Sequence, residues 1–455
     1  MAGRVLPLGY QPDIIVVRTD DMPWDAWEAQ AMPSFNTNYR SSFLHCPHAY
    51  CNISVCCPSR VAGLSGQTAD RHGVFDNNDG ARWPTSNSWL WALRGVGYYT
   101  GTIGKFLNDD NGDTVFPATD TLGCDYRMIY EGDPDYYDYD RIEATTFGPG
   151  TSVHYGGSGN PANYSGRVEN ANVLDFYTRA LASGKPIALY WAPKVPHRGN
   201  GGNDAVPDPN YVNLSMNVTR HPTYGLDPVA YNCPQNMQDE QVIPWDDAAQ
   251  QSITTSHKNA LRTVRGFDDG LAALMAAIVT AGRLNQTVFL FSTDNAHAYG
   301  EFRQDGKGTN HVTAASMLMY ARVPGIAGGT RNQPFADYDI APTVCHFAGA
   351  RMPVAPDGHS MVNALMNDAC PHTDGVYMAK REGGQGSFQY IGYTTAIATS
   401  AALLTRNVDQ YAATHETWAW SWADSMVARC SLEPKSLERA QRIRAWNVNT
   451  RYPAP

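Results

Sequence analysis

At 455 residues, 43% hydrophobic and 17% charged, the chain has the composition of an ordinary globular protein with a large core. A net charge of -10 and the lack of any concentrated Lys/Arg run argue against a phosphate-tracking surface, so nucleic acid is not an expected partner. No apolar stretch reaches the length of a membrane span, and Met1 to Pro12 lacks the charged start and apolar run of a secretory signal.

In chain order, Asp13-Ile14-Ile15-Val16-Val17 predicts a buried parallel strand that ends in Thr19-Asp20-Asp21, two carboxylates at a strand's carboxyl end. A helix is expected after Pro58, which the first turn tolerates. The stretch Tyr130 to Gly159, rich in Tyr, Asp and Gly, reads as a long surface excursion. Pro186-Ile187-Ala188-Leu189-Tyr190-Trp191 is a second core strand, closed by Pro193 and Pro196. From about Asp246 to Ala281, Leu261, Val264, Leu271, Leu274 and Ile278 recur at helical spacing, with Gly282 as a stop.

A third strand, Thr287 to Ser292, delivers another polar pair, Asp294-Asn295. Strands alternating with helices predict an α/β sheet, and ligands in such sheets bind beyond the carboxyl ends of the strands. After Gly358 the pattern changes: Phe388 to Ala401 reads as strand and turn, Thr414 to Trp446 as helix. The expected division is a catalytic unit over 1–365 and a smaller C-terminal α+β subdomain over 366–455.

The most specific segment is Cys56-Cys57-Pro58-Ser59-Arg60-Val61-Ala62-Gly63-Leu64-Ser65-Gly66. It offers a thiol just before a helix start, where free backbone N–H groups and the helix dipole favour an anion. Arg60, within the first turns, can pair with an oxyanion. A buried disulfide pair, a zinc site and a catalytic cysteine are the other readings. Vicinal cysteines rarely bridge each other, and no second Cys-x-x-Cys or His pair completes a zinc set.

This segment resembles the sulfatase signature Cys-x-Pro-Ser-Arg-x-x-x-Leu-Thr-Gly, whose first cysteine is oxidised to formylglycine; Ser65 stands where threonine is usual. The resemblance runs from about Pro12 to Leu365 and is nearest to the N-acetylglucosamine-6-sulfatase and arylsulfatase branch. Tyr136-Tyr137-Asp138-Tyr139 agrees with that branch, and Asp337-Tyr338-Asp339-Ile340-Ala341-Pro342-Thr343 matches a structural marker of the family. The resemblance implies an alkaline phosphatase-like fold: a large mixed, mostly parallel sheet flanked by helices. It implies one Ca²⁺, with Mg²⁺ as the alternative, on Asp20, Asp21, Asp294, Asn295 and the converted Cys56. It implies catalytic roles for Cys56, Arg60, Lys105, His197 and Lys307, with Lys105 and Lys307 clamping sulfate and His197 protonating the departing alcohol. His72, in Asp70-Arg71-His72-Gly73, is either a pocket residue or a turn residue. Ala296-His297-Ala298 departs from the family's Gly-Tyr-His, so no role passes to His297.

The expected activity is hydrolysis of a sulfated sugar or aryl sulfate, after maturation by a formylglycine-generating enzyme. The rival readings are a phosphodiester or phosphonate monoester hydrolase of the same superfamily and a catalytically silent glycan-binding homologue. Five Asn-x-Ser/Thr sequons, at Asn52, Asn163, Asn213, Asn217 and Asn285, suggest a secreted, lysosomal or other lumenal protein, although Asn52 lies too near Cys56 to suit a glycan. Conversion of Cys56 would leave eight of nine cysteines, a number compatible with disulfides.

Overall fold

The structure, a computed structural model, describes residues 11–107, 117–157, 159–199, 202–230, 243–308, 312–370, 372–373, 376–381, 388–395 and 402–407. The helix expected over 414–446, Cys233 and Cys430 lie outside the described residues.

Ten strands form the main sheet: β1 (Asp13–Thr19), β2 (Leu44–Cys46), β3 (Tyr99–Gly104), β4 (Tyr126–Tyr130), β5 (Tyr139–Ala144), β6 (Thr151–Tyr155), β7 (Ile187–Ala192), β8 (Thr287–Thr293), β9 (Met319–Arg322) and β10 (Gly329–Thr330). Their order is β10-β2-β9-β8-β1-β7-β3-β4-β5-β6. The central run from β8 to β4 is parallel, and antiparallel pairs flank it on both sides.

The β-branched run of β1 is buried along its whole length, as expected for a strand covered on both faces. Its side chains alternate between two cores. Ile14 and Val16 join Val61 and Leu64 of α1 (Cys56–Ser65), Trp89 and Leu93 of α2 (Trp89–Gly95) and Ile340 and Val344 of α5 (Ile340–Ala348). Ile15 and Val17 join Val173 and Phe176 of α3 (Ser165–Ala182) and the Leu261, Val264, Leu271, Leu274 and Ile278 face of α4 (Asp247–Thr280). The 3.6-residue period thus places α4 as predicted. Asp246 caps it by accepting from Ala249 N, and Gly282 follows its end at φ 69°. Among the described residues no helix is long and apolar enough to cross a membrane.

The excursion over 130–159 carries two strands: β5 and β6 pair antiparallel at the edge of the sheet. Their polar, tyrosine-rich sequence masks a strand because β6 faces solvent for much of its length. A separate antiparallel sheet comprises β11 (Val376–Arg381), β12 (Phe388–Thr395) and β13 (Ala402–Asn407). Its first strand is tied to the body where Tyr377 N donates to Tyr338 Oη and Ala379 N to Asn52 O. The disulfide expectation is not met among the described residues: Cys46, Cys51, Cys56, Cys124, Cys345 and Cys370 keep free thiols.

Candidate active site

Register brings the chemistry together. Thr19 of β1 is opposite Thr293 of β8, so Asp20-Asp21 and Asp294-Asn295 emerge side by side. On the other flank Gly104 of β3 is opposite Ala192 of β7, which starts Lys105 and the loop to His197 from the same edge. Gly104 has φ 95°, and a Cβ there would lie 2.2 Å from Ala192 O. That close approach lets Lys105 N donate to Ala192 O at 2.7 Å.

Cys56 is the first residue of α1, three positions earlier than the expected start at Ser59, and Gly66 ends the helix at φ 72°. Ser65 Oγ donates to Val61 O and accepts from Gln67 N, so the hydroxyl in the departing signature position secures the helix end. Arg18, wholly buried, lies beneath the helix: NH1 donates to Ser59 O at 2.9 Å and NH2 to Ser59 Oγ at 2.8 Å. Ser59 Oγ donates in turn to Asp294 O at 2.6 Å and lies 3.0 Å from Asp337 Oδ2. A Cβ at Gly63 would meet Arg18 NH1 at 2.1 Å, so the glycine makes room for the guanidinium.

All the side chains singled out from the sequence, apart from His72, meet around Cys56. Its Sγ lies 3.2 Å from Asp20 Oδ1, 2.8 Å from Lys307 Nζ and 3.8 Å from Lys105 Nζ. Lys105 pairs with Asp20 at 2.7 Å, and Lys307 donates to both Asp21 oxygens at 2.6 and 2.8 Å. Arg60 Nε donates to Asp294 Oδ2 at 2.9 Å, and its NH1 to Lys105 O at 2.7 Å. His197 Nε2 stands 3.6 Å from Asp21 Oδ2, while its Nδ1 lies 2.8 Å from Arg198 O. Tyr136 Oη donates to His197 O at 2.6 Å, which ties the 130–139 segment to this loop.

Asp21 occupies the left-handed region at φ 61°, a conformation aspartate tolerates better than most residues. It is held by Asn295 Nδ2, which donates to Asp21 Oδ1 at 2.6 Å. Burial alone raises the Asp20 carboxyl, but Lys105, His197 and Arg60 outweigh it and keep Asp20 well below the usual carboxylate range. At Asp21 the burial penalty is overcome by Lys307 and His197. Asp294 goes the other way, pushed up by burial and then by the Asp20 charge. Burial and Asp20 likewise push the Cys56 thiol up. Burial, then the charge of Lys105, holds His197 down to about 3.

The donor chemistry fits a hard cation. Carboxylate oxygens of Asp20, Asp21 and Asp294 lie within 4.8 Å of one another. Asn295 Oδ1 is buried without a hydrogen-bond partner among the described residues. An oxygen set of this kind suits Ca²⁺ or Mg²⁺. His72 lies in its own turn, where Nδ1 accepts from Val74 N at 3.1 Å.

The sulfatase family profile matches residues 12–350. The chain belongs to the sulfatase family. It is 25% identical over 370 residues to the extracellular sulfatase SULF-1 homolog of Drosophila melanogaster, covering 78% of this chain and 31% of that protein. It is 24% identical over 319 residues to N-acetylglucosamine-6-sulfatase of Capra hircus, covering 66% of this chain and 54% of that protein. The chain thus spans about a third to a half of the length of these curated relatives. A protein solved with its substrate D-glucosamine-2-N,6-O-disulfate has a similar fold, with TM-score 0.66, 18% identity, and coverage of 93% of this chain and 99% of that one. A phosphonate monoester hydrolase from Silicibacter pomeroyi is similar at TM-score 0.62 and 15% identity, over 94% and 96%. At these identities the likeness carries the alkaline phosphatase-like fold alone.

Several residues at this site carry little or no signal in the sequence. Arg18 had a legible signal, a lone charge inside a β-branched strand, which must find partners when buried. Asp133, 3.2 Å from Lys105 Nζ, and Asp305, 3.3 Å from His297 Nε2, had none, because loop carboxylates carry no period.

Proposed function

We propose that the chain is a formylglycine-dependent sulfuric ester hydrolase that cleaves sulfate from a sulfated sugar or aryl sulfate, with Asp20, Asp21, Asp294 and Asn295 holding one Ca²⁺. The observation that carries this reading is the approach of Lys307 and Lys105 to Cys56 Sγ from two loops, beside Asp20. An aldehyde at residue 56 supplies, when hydrated, one hydroxyl to attack sulfur and a second to release sulfate. A bound Ca²⁺ supplies charge stabilisation at the sulfate oxygens.

The chain's own residues do the rest. Lys105 and Lys307, kept protonated against burial by Asp133 and Asp20 in one case and Asp21 in the other, hold the anionic group by two cations. Arg60 braces Asp294 and, at 3.5 Å, Asp20, which fixes the carboxylates against mutual repulsion. The His197 ring, with Nδ1 turned to Arg198 O, presents Nε2 to the site as the atom that delivers a proton to the departing alcohol. An arriving sulfate ester raises that ring's proton affinity through its negative charge.

We assign the catalytic unit to residues 1–365 and a smaller subdomain to 366–455. The extracellular relative supports a secreted, lysosomal or other lumenal location, and a formylglycine-generating enzyme is the maturation partner. The test is peptide mass spectrometry across Cys56 in protein co-produced with that enzyme, paired with hydrolysis of an aryl sulfate and an aryl phosphodiester. Conversion of Cys56 and preference for the sulfate are expected. A stronger phosphodiesterase would favour the rival superfamily activity, and an unconverted cysteine the silent homologue.

A further inference from the structure

His197 and Lys307 both face Asp21, yet they arrive on loops separated by more than a hundred positions. Their neighbours join those loops directly. Arg198 NH2 donates to Asp305 Oδ1 at 2.6 Å and Oδ2 at 2.8 Å. The two side chains are 23% and 22% exposed, so the contact is partly shielded from solvent. Asp305 also faces His297 Nε2 at 3.3 Å. Through the Ala298–Tyr299 and Asp305–Gly306 pairing it opens directly onto Lys307. Beyond the lysine, Gly308 N donates to Ser54 O at 2.9 Å, next to the Cys56 helix. On its own loop the Arg198 carbonyl accepts from Lys194 Nζ at 3.2 Å and faces His197 Nδ1 at 2.8 Å.

Arg198 therefore acts at both ends. Its carbonyl sets the orientation of the His197 ring, and its guanidinium grips the hairpin that carries Lys307. We propose that Arg198 and Asp305 are a positioning pair that fixes His197, the proton donor, relative to Lys307, the sulfate clamp. The inference rests on the sulfate-ester reading above. Partly exposed ion pairs contribute little to global stability, so the consequence of the contact is geometric rather than a matter of holding the fold.

The full chain, matured with the formylglycine-generating enzyme, is compared with Arg198→Met and Asp305→Asn on two substrates. One is 4-nitrophenyl sulfate, whose phenolate leaves readily; the other is a sugar 6-sulfate, whose alkoxide needs a proton. The variants are expected to lose about tenfold or more of kcat on the sugar sulfate and less than about threefold on the aryl sulfate. KM should rise on both, and the sub-threefold kcat loss on the aryl sulfate is the share of a slightly shifted Lys307, far short of its removal. The charge-swapped double variant Arg198→Asp/Asp305→Arg is expected to recover the substrate ratio. Equal kcat losses on both substrates, or no change, would overturn the positioning role. If the unsubstituted enzyme hydrolyses neither ester, the sulfate reading fails by itself. The pair is then judged by the ¹⁵N resonances of His197, which must move in Arg198→Met and Asp305→Asn; unmoved resonances sink it.

Discussion

Lys307 Nζ lies 2.8 Å from Cys56 Sγ, although 251 positions separate the two residues. The same nitrogen neutralises Asp21, so one cation serves both the nucleophile position and the carboxylate cluster. Lys307→Met should therefore lower kcat on an aryl sulfate by roughly 10²–10³, the scale seen when one charge-stabilising donor is removed. Steady-state hydrolysis by matured protein checks this. Unchanged kcat would remove Lys307 from the catalytic set.

Three crowded carboxylates, and an amide oxygen without a partner among the described residues, predict that cations stabilise the site. Adding Ca²⁺ at a hundred times its Kd should stabilise the fold by about 2.7 kcal/mol, by mass action alone. Differential scanning fluorimetry with and without a chelator measures the shift. Asn295→Ala should blunt it, and a melting curve indifferent to both Ca²⁺ and chelator would contradict the proposed ligand set.

Gly63→Ala places a methyl group against the buried Arg18 guanidinium. We expect a loss of about 1–3 kcal/mol, as for overpacking elsewhere in a core, read from urea unfolding. The double variant with Arg18→Met should recover part of the overpacking cost, since a flexible thioether can yield where the guanidinium cannot. Equal stability of Gly63→Ala and the natural chain would show that Arg18 relaxes freely.

Glu169 is buried, and burial pushes its carboxyl up to about 7 despite the Tyr130 hydroxyl at 2.5 Å and the Lys194 amide. Its folded pKa thus exceeds the unfolded value near 4.5, so between these pH values the folded state holds the extra proton. Stability from this group is complete below the lower value and is lost as pH rises through the upper one, on the order of 3 kcal/mol in all. Glu169→Gln should flatten that decline in a pH series of unfolding curves. An identical slope in the variant would place the pH dependence elsewhere.

Glycan mapping should find Asn52 unmodified, because its side chain is buried and bonded to Ala69 N and Tyr377 O. Asn213, Asn217 and Asn285 are exposed and available for occupancy in a secretory host. Occupied Asn52 would require the segment around Cys56 to be glycosylated before it folds.

Family membership and most residues of the candidate site are legible in the sequence. The Cys56 signature, the polar pairs closing two strands and the period of α4 are local patterns, and local patterns survive in one dimension. Those residues converge in the structure because parallel strands in register share one carboxyl edge. Other features were decided only in three dimensions. Edge strand β6 has no legible pattern because an exposed edge needs no apolar alternation. Strand β3, Tyr-Thr-Gly-Thr-Ile-Gly, was hidden by small and polar residues that its neighbours nevertheless bury. The Arg198–Asp305 contact and the Arg18 seat join segments far apart in the chain, and a charge pair closed by tertiary folding leaves no spacing to read.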